Sequence, residues 1–356
     1  MKKILSFILL LSLLLTCTGC FVPNTDGLTP SGSLRIHFID VGQADCILLE
    51  SSGQFIIIDG GNKADSSLVV SYLQSQGVQE LEAVICTHAH EDHVGGLPGV
   101  LAVYLTKAVY APTKTYASNI FDDFLHYVDQ QRLEITIPSP GDSFTFGDAT
   151  ATVLGPVKSY ADPNNTSIVL RVDFGATSFL FTGDMETQAE DDMLDYWGKS
   201  YDWRMDVLKV GHHGSETSSG YRLLRETLPT YGVISVGEGN NYGHPDESAL
   251  SRLQQAEVTL YRTDKLGTII AVSDGKDISF TWQKGSAQPV TPPSQSDTPG
   301  TTAPTVSYIG NKNSKKLHLP GCSSLPSESN RVYFDDYDEA IAAGYEPCSK
   351  CFEPTP

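Results

Sequence analysis

Thr87-His88-Ala89-His90-Glu91-Asp92-His93 follows the apolar run Ala83-Val84-Ile85-Cys86 and leads through Val94 into Gly95-Gly96. Three imidazoles and the Asp92 carboxylate thus share one short loop. Imidazole nitrogen with carboxylate oxygen is the ligand mix of zinc-type sites, and two ions can share such a cluster. The run before the loop reads as a buried strand, so the histidines stand at a strand end and not on a solvated His-rich surface.

Outward from this loop, residues 34 to 283 are dense in short apolar runs. Strands are expected at Leu34–Ile39, Ala44–Leu49, Phe55–Ile58, Ala83–Cys86, Thr150–Leu154, Ile168–Phe174 and Ser178–Thr182. Further strands are expected at Asp206–Val210, Gly232–Val236, Val258–Tyr261, Gly267–Val272 and Ile278–Trp282. Amphipathic spacing predicts helices over Asp65–Gln76, Ser118–Gln130, Glu186–Tyr196, Ser219–Leu228 and Glu247–Gln255. Strands in hairpins with helices between them imply an α/β sandwich of sheets flanked by helices. Cys46 and Cys86 sit in apolar runs and read as buried core residues, with a disulfide between them as the alternative.

The 356 residues carry 24 Lys and Arg against 43 Asp and Glu, a net charge of −19. That excludes a broad non-specific grip on nucleic-acid phosphates, which needs clustered basic side chains. It leaves room for a phosphate-cleaving enzyme, because bound metal ions supply positive charge locally. A mean hydropathy of −0.16 with one apolar run near membrane length excludes a polytopic membrane protein. That run, Ile4 to Leu15, follows Lys2 and Lys3 and exits through Thr16-Cys17-Thr18-Gly19-Cys20, the layout of a secretory signal.

The Thr-Gly-Cys exit resembles the lipobox of bacterial lipoproteins, although Cys17 stands where that box usually has Leu. The resemblance implies lipidation at Cys20 and a chain exported and anchored to the outer face of the cytoplasmic membrane. An ordinary cleaved signal with an incidental cysteine is the alternative. The expected organisation is a signal over 1–19, a Pro/Gly/Ser/Thr-rich tether over 20–32, a main domain over 33–284, a Pro/Ser/Thr linker over 285–305 and a last domain over 306–356.

His-x-His-x-Asp-His after a hydrophobic strand resembles the signature of the metallo-β-lactamase superfamily, whose fold is an αββα sandwich. His37-Phe38-Ile39-Asp40-Val41-Gly42-Gln43-Ala44-Asp45, Phe181-Thr182-Gly183-Asp184, Leu208-Lys209-Val210-Gly211-His212-His213-Gly214-Ser215 and Tyr242-Gly243-His244-Pro245 resemble, in order, motifs of the extracellular hydrolase domain of ComEC-type competence proteins. The resemblance implies two divalent metal ions, Zn or Mn. His88 and His90 would hold one, Asp92 and His93 the second, and Asp184 would bridge them. One of His212 and His213 would complete the second site. Asp92, Asp184 and His244 are the expected catalytic residues, orienting a metal-activated water and shuttling a proton. Asp40 is expected either to orient the cluster or simply to form a turn before Gly42. Many superfamily members place a further His before the bridging Asp, whereas here Asn165 lies at that position, in Asn164-Asn165-Thr166-Ser167. An amide oxygen is a weaker ligand, which suits a labile first site or a harder ion such as Mn²⁺. No Gly-x-Ser-x-Gly elbow or phosphate-binding Gly loop accompanies these motifs.

Near the end, His318-x-x-x-Cys322 and Cys348-x-x-Cys351 supply one imidazole and three sulfurs, the donor set of a closed tetrahedral zinc site. A disulfide between two of the cysteines is the alternative. Residues 307 to 353 resemble the small metal-binding module of the DNA-repair protein Ada, implying a small α+β domain built on one structural Zn. In Ada all the ligands are cysteines and one accepts a methyl group; His318 in the first position argues against that chemistry here.

Together with the residues, the ComEC-type resemblance implies a surface-tethered, metal-dependent hydrolase, foremost a phosphodiesterase or nuclease acting on extracellular DNA. The chain shows none of the channel-forming segments of ComEC-type proteins, so no transmembrane channel of its own is expected. A cell-wall phosphodiester such as phosphorylcholine teichoic acid is the second expectation, because an acidic surface suits a small zwitterionic head group. A non-catalytic surface-binding protein is the third, and β-lactam hydrolysis ranks last.

Overall fold

Alternation along Leu34-Arg35-Ile36-His37-Phe38 sends Leu34, Ile36 and Phe38 to one face, into the core between two sheets. His37 points to the other face, where its Nδ1 meets Tyr72 Oη at 2.9 Å. The same two-sided burial recurs through the domain and makes four layers. In this computed structural model the described residues are 32–292, 308–319, 322, 324–334 and 337–352. The expected signal, Cys20, most of the tether and most of the linker lie outside them. No helix among the described residues is long and apolar enough to cross a membrane.

One sheet has eight strands in the order Ile278–Trp282, Ile269–Ser273, Leu34–Phe38, Ile47–Ser51, Gln54–Ile58, Glu80–Ile85, Leu105–Tyr110 and Ile135–Thr136. The other has seven, in the order Thr259–Arg262, Tyr231–Ile234, Val207–Lys209, Thr177–Phe181, Val169–Phe174, Ala149–Gly155 and Ser143–Phe146. Phe38, Phe146, Phe174, Phe179 and Phe181 fill the space between them. Helices Ser66–Ser75, Leu97–Val103 and Asn119–Gln130 bury Val69, Leu101 and Phe124 on the outer face of the first sheet. Helices Thr187–Trp197, Tyr221–Thr227 and Glu247–Gln255 bury Met193, Leu224 and Leu253 on the outer face of the second. The arrangement is αββα.

One expectation is corrected and one stretch is added. Residues 97–110, for which no element is expected above, form helix Leu97–Val103 and then the parallel strand Leu105–Tyr110. The strand expected from Ala44 starts at Ile47, because Ala44 and Asp45 are drawn into a turn where Asp45 N donates to Asp92 O at 3.1 Å. Cys46 and Cys86 are both buried free thiols, and Cys86 Sγ donates to His88 O at 3.0 Å.

The C-terminal residues form a separate four-stranded sheet, Arg331–Phe334, Tyr308–Asn311, Lys316–His318 and Glu346–Pro347, with helix Tyr337–Ala342. Its core is small, centred on Leu317, Phe334, Ala340 and Tyr345.

Gly95-Gly96 has a steric reason. Gly60 N donates to His93 O at 2.7 Å and Gly96 N to Gly61 O at 3.1 Å, so two backbone segments touch directly. A Cβ on Gly96 would stand 2.0 Å from Gly60 O, and one on Gly95 would stand 2.4 Å from Lys63 N. Gly96→Ala is therefore expected to cost about 1–3 kcal/mol by overpacking, read as a lower urea midpoint at unchanged m-value.

Candidate metal centre

Strand ends from both sheets deliver the ligand side chains to one edge of the sandwich. His88 and His90 lie in the loop after Glu80–Ile85, and Asp92 and His93 on the one-turn helix Glu91–Val94. Asp184 follows Thr177–Phe181, while His212 and His213 follow its parallel neighbour Val207–Lys209. Ile168 N donates to Thr87 O at 2.9 Å, tying the His-rich loop to the second sheet. Gly183 turns at φ 53°, and a Cβ there would meet Ser167 Oγ at 2.9 Å and Thr87 Cβ at 3.0 Å. Glycine lets the Asp184 turn press against the His-rich loop.

Asp184 Oδ2 is the hub. It lies 3.2 Å from His93 Nε2, 3.6 Å from His213 Nε2, 3.7 Å from His212 Nε2 and 3.9 Å from His88 Nε2. Asp92 Oδ2 stands 3.3 Å from His213 Nε2 and 3.9 Å from His93 Nε2. One donor atom from each of Asp92, His93, Asp184 and His213 falls within 4.8 Å of the others. His88 Nε2 and His90 Nδ1, 3.1 Å apart, form the adjoining half. The structure thus sets His213 in the inner group and leaves His212 at the rim, with Nδ1 3.6 Å from Glu186 Oε1.

The donors fit a divalent metal. His93 Nε2, His213 Nε2 and Asp184 Oδ1 are buried without a hydrogen-bond partner. The opposite nitrogens are engaged: His93 Nδ1 lies 2.7 Å from Asp59 Oδ2, and His213 Nδ1 lies 2.9 Å from Ser235 O. An acceptor at Nδ1 holds the proton there and leaves the Nε2 lone pair facing the cluster. Charge agrees with geometry. Burial opposes a charged His93, but Asp184, Asp59 and Asp92 override it and raise its pKa well above the imidazole range. Burial likewise opposes a charged His213, yet Asp184 and Asp45 bring it up to about 10. The site is an anionic pocket whose charge suits a cation. His88 is driven the other way by burial and then by His93, which leaves a neutral ring with a lone pair to offer.

In the C-terminal sheet, His318, Cys322, Cys348 and Cys351 also bring their donor atoms within 4.8 Å of one another. All three cysteines are free thiols, which sets the disulfide alternative aside. His318 Nδ1 lies 3.3 Å from Cys322 Sγ.

Residues 39–238 match the model of the metallo-beta-lactamase superfamily. The chain belongs to this superfamily. Residues 301–354 match the metal-binding domain of Ada. Among superfamily relatives, ComE operon protein 3 of Bacillus subtilis is 31% identical over 255 residues, covering 66% of this chain and 32% of that protein. Competence protein ComA of Neisseria gonorrhoeae is 29% identical over 252 residues, covering 70% and 34%. The chain therefore spans about a third of these relatives' length. Exodeoxyribonuclease WalJ of Streptococcus pneumoniae is 28% identical over 198 residues, covering 51% of this chain and 71% of that one. Among solved structures, the metallo-beta-lactamase fold protein YhfI from Bacillus subtilis aligns with 68% of this chain and 99% of its own, at 14% identity and a TM-score of 0.46.

Asp40 takes the turn-forming one of its two expected roles, and Asn165 holds backbone beside the centre. Asp40 does not orient the cluster: its Oδ1 accepts from Gly42 N at 3.3 Å, the turn-forming role. Asn165 is buried, and its Oδ1 accepts from Glu186 N at 3.0 Å, so that oxygen is committed to the backbone after Asp184. His244 borders the site, its ring 5.8 Å from that of His212 and its buried Nδ1 without a partner.

The groups that hold the ligands were missed by sequence reasoning. Asp59 grips Thr87 N and Oγ1, each at 2.7 Å, as well as His93. Asp45 pairs with the fully buried Lys209 at 2.7 Å and stands 3.4 Å from His213 Nδ1. Burial pulls the Asp45 pKa up, but Lys209 and His213 bring it down to about 2. A signal existed: Asp59 closes Phe55-Ile56-Ile57-Ile58, and Lys209 closes Val207-Leu208. A charge at the end of a buried run needs a partner or a task.

A second pair of charged groups fixes the loop after His213. Buried Glu190 accepts from Ser219 N at 2.5 Å and Gly220 N at 2.8 Å. Arg252 donates to Glu216 O, Ser218 O and Ser219 O at 2.9, 2.8 and 3.2 Å. Burial pushes the Glu190 carboxyl from 4.5 up to about 7, against its two backbone donors and Arg252. A raised folded pKa means that this group's contribution to stability is whole below pH 4.5 and lost as pH rises through about 7. Relative to Glu190→Gln, the native protein is expected to lose about 3 kcal/mol of unfolding free energy over that window. Urea midpoints of both proteins across it, at fixed metal concentration, check this.

Proposed function

We propose that this superfamily hydrolase is a two-metal phosphodiesterase acting on extracellular DNA, tethered at the outer face of the cytoplasmic membrane through Cys20. The observation that carries the reading is the group of Asp92 with the buried His93, Asp184 and His213, which His88 adjoins through Asp184 and His90 through His88. The relatives' names add weight, since one is a competence protein and one is an exodeoxyribonuclease. The tether rests on the sequence alone.

Bound divalent ions, Zn or Mn, would supply Lewis acidity and an activated water beside the phosphate. The chain's own residues do the positioning. Asp59 and Ser235 O keep the Nδ1 protons of His93 and His213, so both rings present Nε2 to the same point. Asp184 reaches both halves of the site and, with Asp92, orients what binds there. His244, half-buried at the rim, is kept neutral by burial and then by His212. Such a ring can carry a proton between the leaving oxygen and solvent. The Asp45–Lys209 pair fixes the strand end behind His213 without reaching the reacting groups.

A second reading is favoured by the charge of −19, which suits a small zwitterionic phosphodiester such as phosphorylcholine teichoic acid better than a polyanion. Labelled single- and double-stranded DNA incubated with the protein and Mn²⁺ or Zn²⁺ separates the two. The expected outcome is metal-dependent cleavage that falls to background in Asp184→Ala. Absence of cleavage by a protein holding two metals at this site would move the assignment to the small diester.

The C-terminal cluster is proposed to hold one structural zinc. A four-stranded sheet with so small a core draws much of its folding energy from such an ion. Chelation or Cys348→Ser is expected to release one zinc per chain and to unfold this module selectively. Zinc release assayed beside proteolysis of the residues after 306 reads both.

A further inference from the structure

Tyr242 is 74% exposed, more than any other large apolar side chain among the described residues. It is nevertheless held firmly. Asn240 Oδ1 accepts from Tyr242 N at 3.0 Å and from His244 N at 3.1 Å, while its Nδ2 donates to Gly237 O at 3.0 Å and His244 O at 2.6 Å. One amide side chain thus knots the whole loop. The knot is docked at both ends: Gly237 N donates to Gln43 Oε1 at 3.1 Å, and Asp246 N donates to Gly214 O at 2.8 Å. The backbone that carries the exposed Tyr242 ring is thus fixed at both ends, so the ring is presented at a set place beside the site.

Its position names the contact. The Tyr242 ring lies 5.9 Å from that of His244 at an interplanar angle of 17°, and the His244 ring lies 5.8 Å from that of His212. His212 Nε2 is in turn 3.7 Å from Asp184 Oδ2. Two ring spacings therefore separate an open aromatic face from the rim of the metal centre. Resting on the phosphodiesterase reading above, we propose that Tyr242 is a stacking platform for the nucleobase next to the scissile phosphate, and that the site takes single-stranded nucleic acid. A base can lie on an aromatic face only once it has left the duplex stack, and stacking accepts every base because each has a flat face. A quaternary ammonium is recognised instead by several rings forming a cage. Among the described residues Tyr242 has only the His244 ring beside it, nearly parallel to its own.

The test compares oligothymidine with an abasic tetrahydrofuran oligomer of equal length, using the full chain in detergent with Mn²⁺. The wild type is expected to show higher kcat/KM on oligothymidine. Tyr242→Ala is expected to lower that preference about 5- to 150-fold, the range that one stacked base spans, mainly through KM. Tyr242→Phe, which keeps the ring, is expected to preserve it. An unchanged preference in Tyr242→Ala overturns the platform, as does equal loss on both oligomers. Inhibition by phosphorylcholine that depends on Tyr242, with none by thymidine monophosphate, also overturns it in favour of a cationic head group. If the wild type cleaves neither oligomer, the nuclease reading fails separately. Fluorescence anisotropy with labelled oligothymidine then decides the platform: Tyr242-dependent binding supports it, and its absence overturns it.

Discussion

Buried negative charge at one edge of the sandwich is the constraint on which the rest depends. Asp45, Asp59 and Asp184 are each 1% exposed, and Asp92 stands beside them. Carboxylates gathered out of water need compensating positive charge or they protonate. Lys209 answers Asp45 from within the core. Asp59 is answered by the Nδ1 side of His93 and by Thr87. Asp184 has four imidazole nitrogens within 3.9 Å and a buried oxygen without a hydrogen-bond partner. The residual demand for a cation is thus gathered around Asp184, in the space it shares with Asp92, His93 and His213 and with His88 on the other side.

The sandwich is shaped to meet that demand. Neither sheet holds the centre alone: the first brings the His-rich loop, and the second brings Asp184 and His213. Their meeting brings the Gly183 turn of the second sheet against Thr87 of the first closer than a Cβ allows, while Gly60 and Gly96 give the same close approach between two loops of the first sheet. His212 and His213 both take left-handed backbone, φ 49° and 54°, which is costly for residues with a Cβ. The Glu190 and Arg252 contacts to residues 216–220 lock the chain just beyond them, so that cost is borne by a structure that over-determines the turn.

Most of the architecture was legible because its strands are short, apolar and punctuated. Where punctuation fails, so does the reading: Leu97 to Tyr110 passes from helix to strand with only Tyr104 between. The ligand types were legible because three histidines in one loop have few other uses. Choosing between His212 and His213 was not, since adjacent residues differ only in the direction that an unusual backbone gives them. Here Ser235 O fixes His213 inward, and no sequence pattern announces a carbonyl just past a strand, 22 residues away. Asp45 and Asp59 escaped because each looks like a turn residue until its partner is known. Asp40, in the same motif as Asp45, carries the same turn signal and takes only the turn role.

The acidity of the chain and a phosphodiester substrate are compatible for a related reason. Net charge acts at long range, and salt screens it over about 8 Å under physiological conditions. Attraction of a phosphate at the centre is decided inside that distance, by the ions that Asp92, Asp184 and the imidazoles would hold. A surface of −19 then discourages adhesion of nucleic acid everywhere else. For such a protein affinity cannot come from a basic groove, so contacts that carry no charge must supply it. An exposed ring beside the centre is one of the few that can, because stacking loses nothing to salt and asks for no lysine.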